Sequence, residues 1–121
     1  MKFKCKQSDL STAIAIVSKA VSSKTTKPIL SGIYFEAKDH QLKLIGNDLN
    51  MCIETSIDAD IEIEGSIVMP SKLFTELIRK LPDAPVEFII NDTHMVDIHC
   101  LNSTYKLVGL PGQEYPELPL I

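Results

Sequence analysis

The apolar residues of this chain change period twice, in the same order each time. Phe3 and Cys5 alternate with Lys2, Lys4 and Lys6, the two-residue period of a half-buried strand. Leu10, Ile14, Val17 and Val21 then recur at spacings of four, three and four, which predicts an amphipathic helix over 9–22. Ser8 is the expected N-cap, and Asp9 suits the positive end of the helix. The helix stops before a polar loop, residues 22–27, closed by Pro28. Strand patterns follow at Ile33, Phe35 and Ala37, at Leu42 and Leu44 after an Asp39-His40 turn, and at Met51, Ile53, Thr55 and Ile57 after Gly46-Asn47-Asp48.

The same order then repeats. Ile61 and Ile63, a turn at Gly65, and a strand through Ile67 and Met69 lead to Pro70. Ser71 is the expected cap of a second helix whose apolar side is Leu73, Phe74, Leu77, Ile78 and Leu81. After Pro82-Asp83-Ala84-Pro85 come three strand patterns, at 86–90, 94–100 and 104–108. Ser8, Leu10 and Thr12 recur as Ser71, Leu73 and Thr75, and Ile14 recurs as Leu77. Two strand–helix–three-strand units, about 1–60 and 61–115, therefore fill one domain over 1–115. The expected class is α+β: two pseudo-symmetric units, with two helices side by side on one face of an antiparallel sheet. Such an arrangement presents a surface rather than a pocket. The last dozen residues, with Pro111, Pro116 and Pro119, read as an extended tail, and 116–121 as the start of a linker.

Composition narrows the function. The 121 residues are 45% hydrophobic and 23% charged, ordinary for a single globular core. No apolar run reaches the length of a membrane span, and the Met-Lys-Phe-Lys-Cys-Lys start has no signal-peptide region, so a cytoplasmic protein without membrane contact is expected. Cys5, Cys52 and Cys100 fall in strand patterns and read as small core residues of a reduced compartment. Together with His40, His94 and His99 they form no metal-ligand spacing. There is no nucleophile elbow and no phosphate-binding glycine loop, and an exposed acidic strand accounts for Asp58 and Asp60 better than paired catalytic carboxylates do. Neither metal nor cofactor nor catalytic residue is expected.

Charge is unevenly placed. Residues 1–30 carry six lysines against one acid, a balance of +5, whereas 31–121 carry six bases against fifteen acids, a balance of −9. The outward strand positions hold Glu36, Glu54, Asp58, Asp60, Glu62, Glu64, Glu87 and Asp97. The polar side of the first helix is small and uncharged from Ser11 to Ser18, with Lys19 after it. The second helix presents Lys72, Thr75, Glu76, Arg79 and Lys80. Lys24, Lys27, Lys72, Arg79 and Lys80 offer phosphate contacts if the helices lie together. No aromatic platform or base-reading cluster accompanies them, so contact would be to backbone and independent of sequence. Solvated lysines, and dipole pairing by Lys19, Arg79 and Lys80, are the plain alternative. A different class remains open as well, a small α+β enzyme or ligand-binding domain with a pocket between helices and sheet. The apolar inner positions Leu10, Ile14, Val17, Leu73, Leu77 and Leu81 argue against such a pocket.

A set of local strings adds a resemblance. Met-Lys-Phe, Lys27-Pro28-Ile29-Leu30, Gly46-Asn47-Asp48-Leu49, Met69-Pro70-Ser71-Lys72-Leu73-Phe74, Arg79-Lys80-Leu81-Pro82, Ser103-Thr104-Tyr105-Lys106-Leu107, Leu110-Pro111 and Tyr115-Pro116 occur in this order. Together they resemble the first domain of the bacterial DNA polymerase III beta subunits, the beta sliding clamps, over essentially the whole chain. The resemblance implies a non-catalytic processivity factor: two three-domain subunits close into a homodimeric ring, with helices lining a hole for double-stranded DNA. It implies DNA contact by Lys24, where the family carries Arg, and by Lys72 and Arg79, with Lys27 and Lys80 as further candidates. Lysine at 24 keeps the charge but loses the bidentate fork. It also implies that Tyr105 and Leu107 serve the ring-closing subunit interface, although alternation alone is equally satisfied if both are core. Polymerase and clamp-loader subunits would bind through later domains, so the chain reads as a fragment.

Overall fold

The computed structural model describes residues 1–21 and 28–116. Lys24, Lys27 and the tail 117–121 lie outside the described residues. In chain order the elements are β1 (Lys2–Lys6), α1 (Gln7–Val17) with a 3-10 turn over Ser18–Ala20, a 3-10 turn over Pro28–Ser31, β2 (Gly32–Lys38), β3 (Gln41–Asn47), β4 (Cys52–Asp58), β5 (Asp60–Ile63), β6 (Gly65–Pro70), α2 (Ser71–Lys80), β7 (Pro85–Ile90), β8 (Met95–Cys100), β9 (Ser103–Val108), β10 (Leu110–Pro111) and a 3-10 turn over Gly112–Glu114.

The sequence predicts one sheet, and the chain builds two. Their strand orders are β5-β1-β7-β8-β9 and β10-β6-β2-β3-β4, with every neighbouring pair antiparallel. The division follows from a strand exchange between the repeats. β1, which opens the first unit, pairs with β7 of the second, Phe3 lying opposite Phe88. β6, which opens the second unit, pairs with β2 of the first, Phe35 lying opposite Ile67. Each helix thus crosses from one sheet to the other, and the first strand of each unit takes its long pairing from the other unit. The Asp39-His40 turn between β2 and β3 has positive φ at both residues, 54° and 64°, the twist that a two-residue hairpin needs.

The helices start differently from the sequence reading. Neither Ser8 nor Ser71 caps. α1 begins at Gln7 after Lys6, α2 begins at Ser71 after Pro70, and neither preceding residue makes a side-chain cap. Both helices follow directly from a strand, so tertiary partners replace a cap: the Gln7 amide donates to Ala84 O at 3.2 Å. The repeated Ser-to-Thr spacing acts inside the helix instead. Thr12 Oγ1 donates to Ser8 O at 3.0 Å, and Thr75 Oγ1 to Ser71 O at 2.6 Å. α1 ends at Val17, short of the predicted 22, where β3 comes close. A side chain at Gly46 would collide with Val17 O, so this approach requires glycine.

Both sheets and both helices share one core, and Phe74 on α2 joins the sheets. Its ring meets Phe35 of β2 at 5.2 Å and Phe88 of β7 at 5.9 Å, while Phe88 stacks on Phe3 at 4.8 Å. Leu73 departs from the expected apolar side and is 53% exposed. The helix buries Ser71, Phe74 and Ile78, spaced three and four, and Leu73 falls a hundred degrees off that line. Cys5 and Cys100 are buried as expected, but Cys52 is exposed, because it lies on the outward side of β4. The stretch read as a tail also belongs to the fold. β10 pairs with β6, and Tyr115 is buried, its ring 5.2 Å from that of Tyr34. Proline in β10 is tolerated because that strand is the sheet's edge.

Candidate nucleic-acid interface

α1 and α2 lie side by side and antiparallel. Gln7 Nε2, at the start of α1, donates to Ile78 O near the end of α2 at 2.8 Å. Farther along, Ser11, Ile14 and Ala15 line a groove with Thr75, Ile78 and Arg79. That groove holds only about 90 Å³, far below what a small-molecule ligand needs. The core faces of both helices are spent on Leu10, Ala13, Ile14, Val17, Phe74 and Ile78. What remains outward is a paired helical surface: Thr12, Ala15, Ile16 and then Lys19 on one side, Lys72, Leu73, Glu76, Arg79 and Lys80 on the other.

Charge on this surface differs in kind from charge on the sheets. Sheet cations are neutralised by neighbouring acids: Lys2 to Glu62 at 2.8 Å, Lys4 to Glu87 at 3.9 Å, Lys43 to Glu36 at 3.4 Å and to Glu54 at 4.0 Å, Lys106 to Asp97 at 3.9 Å. The hydrogen bond from Lys2 pulls the Glu62 carboxyl below its ordinary pKa, and Glu62 in turn pushes the Lys2 ammonium up. Among the described residues, Lys19, Lys72, Arg79 and Lys80 have no such ion pair, a property shared only by Lys6 and Lys38. Lys72 is the most informative of them. It sits in the first turn of α2, where the helix dipole disfavours a cation, and no acid offsets the cost. From Lys72 to Arg79 is roughly 10 Å along the helix axis. These are free cations held by a rigid scaffold, suited to phosphates rather than to a defined small anion.

The structure places the remaining site candidates as follows. Lys72, Arg79 and Lys80 share the exposed side of α2. Tyr105 and Leu107 lie on the inward side of β9, the open edge of its sheet. Leu107 is 6% exposed and belongs to the core, and Tyr105 is half-buried against it. The side chains that β9 turns outward are Thr104, Lys106 and Val108, the last 63% exposed.

A larger cleft of about 450 Å³ opens beside β1, lined by Cys5, Asp9, Asp58 and Asp60 among others. Burial pushes the Cys5 thiol up to about 12, so at neutral pH it is protonated and a poor nucleophile. No group of three or more His, Cys, Asp or Glu side chains among the described residues is placed to hold a metal ion, and no helix among them is long and apolar enough to cross a membrane.

Comparison with known proteins gives this surface its context. Residues 1–119 match the family model described as DNA polymerase III beta subunit, N-terminal domain. The beta sliding clamp of Bacillus subtilis is 37% identical across the whole chain, and that of Halalkalibacterium halodurans is 40% identical over 87% of it. The chain spans about a third of the length of these relatives, 34% and 30% respectively. Among solved structures, the Bacillus subtilis DNA polymerase sliding clamp superposes with a TM-score of 0.96 at 37% identity, covering all of this chain and 34% of that one. A putative DNA polymerase III beta subunit from Eubacterium rectale gives 0.96 at 36% identity, covering all of this chain and 33% of that one. In sequence and in fold alike, the chain belongs to the DNA polymerase III beta subunit family, as its N-terminal domain.

Proposed function

We propose that this chain is a non-catalytic, DNA-tethering domain of a sliding clamp that encircles duplex DNA and keeps a replicative polymerase on its template. One observation carries the reading: all the described helix-pair cations, Lys19, Lys72, Arg79 and Lys80, lack ion pairs, whereas of the sheet lysines only Lys6 and Lys38, both at strand ends, do. A ring lined by such helices attracts the phosphate backbone, and its acidic outer sheets repel it. Few contacts suit sliding, because persistence then comes from enclosure and not from affinity. Lys72 and Arg79 are the phosphate contacts on α2, with Lys80 beside them. Lys24 joins them by family position, and Lys27 is a further candidate.

Ring closure into a homodimer would use the open β9 edge, whose unpaired backbone can accept a partner strand. Leu107 would support that edge from the core side, with Tyr105 at its margin. Polymerase and clamp-loader subunits would be the protein partners of such a clamp, in the cytoplasm. Against an enzyme or small-ligand domain, the core between helices and sheets is filled by Phe3, Phe35, Phe74 and Phe88, and in the cleft beside β1 the Cys5 thiol is protonated at neutral pH.

Fluorescence anisotropy with two duplexes of unrelated sequence tests the reading. At low salt both should bind weakly and equally. With two to four phosphate contacts, the slope of log K against log salt should lie between about −2 and −4. Binding to one sequence only, or binding indifferent to salt, would overturn it.

A further inference from the structure

Antiparallel packing pairs the two helices in a definite order. Ser11, Ile14 and Ala15 share a groove with Thr75, Ile78 and Arg79, and the start of α1 meets the end of α2 through Gln7 and Ile78. The end of α1, with Ser18 and Lys19 after it, and the start of α2, with Ser71 and Lys72, therefore fall at the same end of the helix pair. Lys19 is exposed, and its neighbours Val17 and Ala20 are buried, so the turn is anchored to the core while the lysine faces out. The other side of this turn is occupied by β3, where Gly46 meets Val17 O and Val21.

The two ends of the helix pair are not electrically alike. At the Arg79 and Lys80 end, exposed Asp83 follows α2 and exposed Lys6 and Asp9 flank the start of α1, so two acids accompany three bases. At the Lys19 and Lys72 end neither helix carries an acid within its terminal turn. The macrodipoles do not decide the difference, since each end joins one helix N-terminus to one C-terminus and the two partly cancel. Repeat symmetry does not supply the pattern either: the repeat offset that matches Ser8 with Ser71 matches Asp9 with Lys72 and Ile16 with Arg79.

Resting on the duplex-binding reading, we infer that Lys19 is a phosphate-contacting residue which acts with Lys72, so that duplex DNA is held chiefly at this acid-free end of the helix pair. The ordinary role of Lys19 would be favourable placement at a helix C-terminus, worth a few tenths of a kcal/mol and no DNA contact. The two roles separate in a neutralisation series. Lys19→Gln, Lys72→Gln, Lys80→Gln and Lys38→Gln are compared in duplex binding across a salt range, with thermal melting to confirm that each variant is folded. Lys38 is the control, being exposed and free of ion pairs but on β2.

Lys19→Gln and Lys72→Gln should each weaken binding at least about threefold and reduce the salt slope by about 0.9, whereas Lys80→Gln should do less and Lys38→Gln nothing. If Lys72→Gln weakens binding but Lys19→Gln matches Lys38→Gln, the inference fails while the duplex reading stands. If Lys72→Gln is also without effect, the duplex reading fails first. A Lys80→Gln loss equal to that of Lys19→Gln would overturn the uneven grip.

Discussion

Lys72 is the position at which a role besides folding can be tested most directly. A cation in the first turn of a helix opposes the dipole, and here no carboxylate within 4 Å offsets it. Replacing it by glutamate would relieve that conflict but exchange attraction to Glu76 one turn on for repulsion, opposing effects of similar size. Lys72→Glu should therefore leave stability within about 1 kcal/mol of the parent, while duplex affinity falls. Thermal denaturation alongside a binding titration checks both halves. A variant destabilised by more than about 1 kcal/mol with unaltered binding would make Lys72 a structural residue. The charge type at this position was legible in the sequence. Its isolation from acids was not, because ion pairing on the sheets depends on strand register that only the fold sets. Leu73 was misplaced for a related reason. Hydrophobicity alone put it inside, but helical phase is fixed by Phe74, whose ring must reach both sheets.

At the level of elements, the strand exchange is what makes the repeats into one domain. β1 needs β7 and β6 needs β2, so either unit alone leaves its first strand without that long pairing and its half of the phenylalanine cluster open. Residues 1–59 and 60–116 expressed separately should therefore each lack a cooperative melting transition, and mixing them should restore one. Circular dichroism on the two halves and their mixture measures this, and a cooperatively folded half would contradict it. The repeat was visible in the sequence, since Ser8 to Thr12 and Ser71 to Thr75 match. The exchange was not, because periodicity reports which face of a strand is buried and says nothing about its neighbour. The same gap explains residues 110–116. Proline and glycine there signal a tail, yet Tyr115 finds Tyr34, Leu30, Ile45 and Val68 on the outer face of a sheet that sequence patterning leaves polar.

The whole molecule divides its surface: a helix pair whose described cations lack ion pairs on one side, and sheets where most lysines are paired and acids dominate on the other. Composition foretold an acidic protein with a basic segment, and the ordered strings pointed to the family to which the chain belongs. Among the described residues the groove between the helices holds only about 90 Å³, and neither helix turns an aromatic ring outward, in keeping with the proposed phosphate contacts. The most direct test is a residue-resolved NMR titration of the isotope-labelled chain with a short duplex at low salt. The account predicts amide shift changes confined to the helix pair, strongest around 15–20 and 71–76, fading as salt is raised, and absent from β2, β3, β7 and β8. Shifts centred on the sheets, or on the cleft beside Cys5, would contradict it.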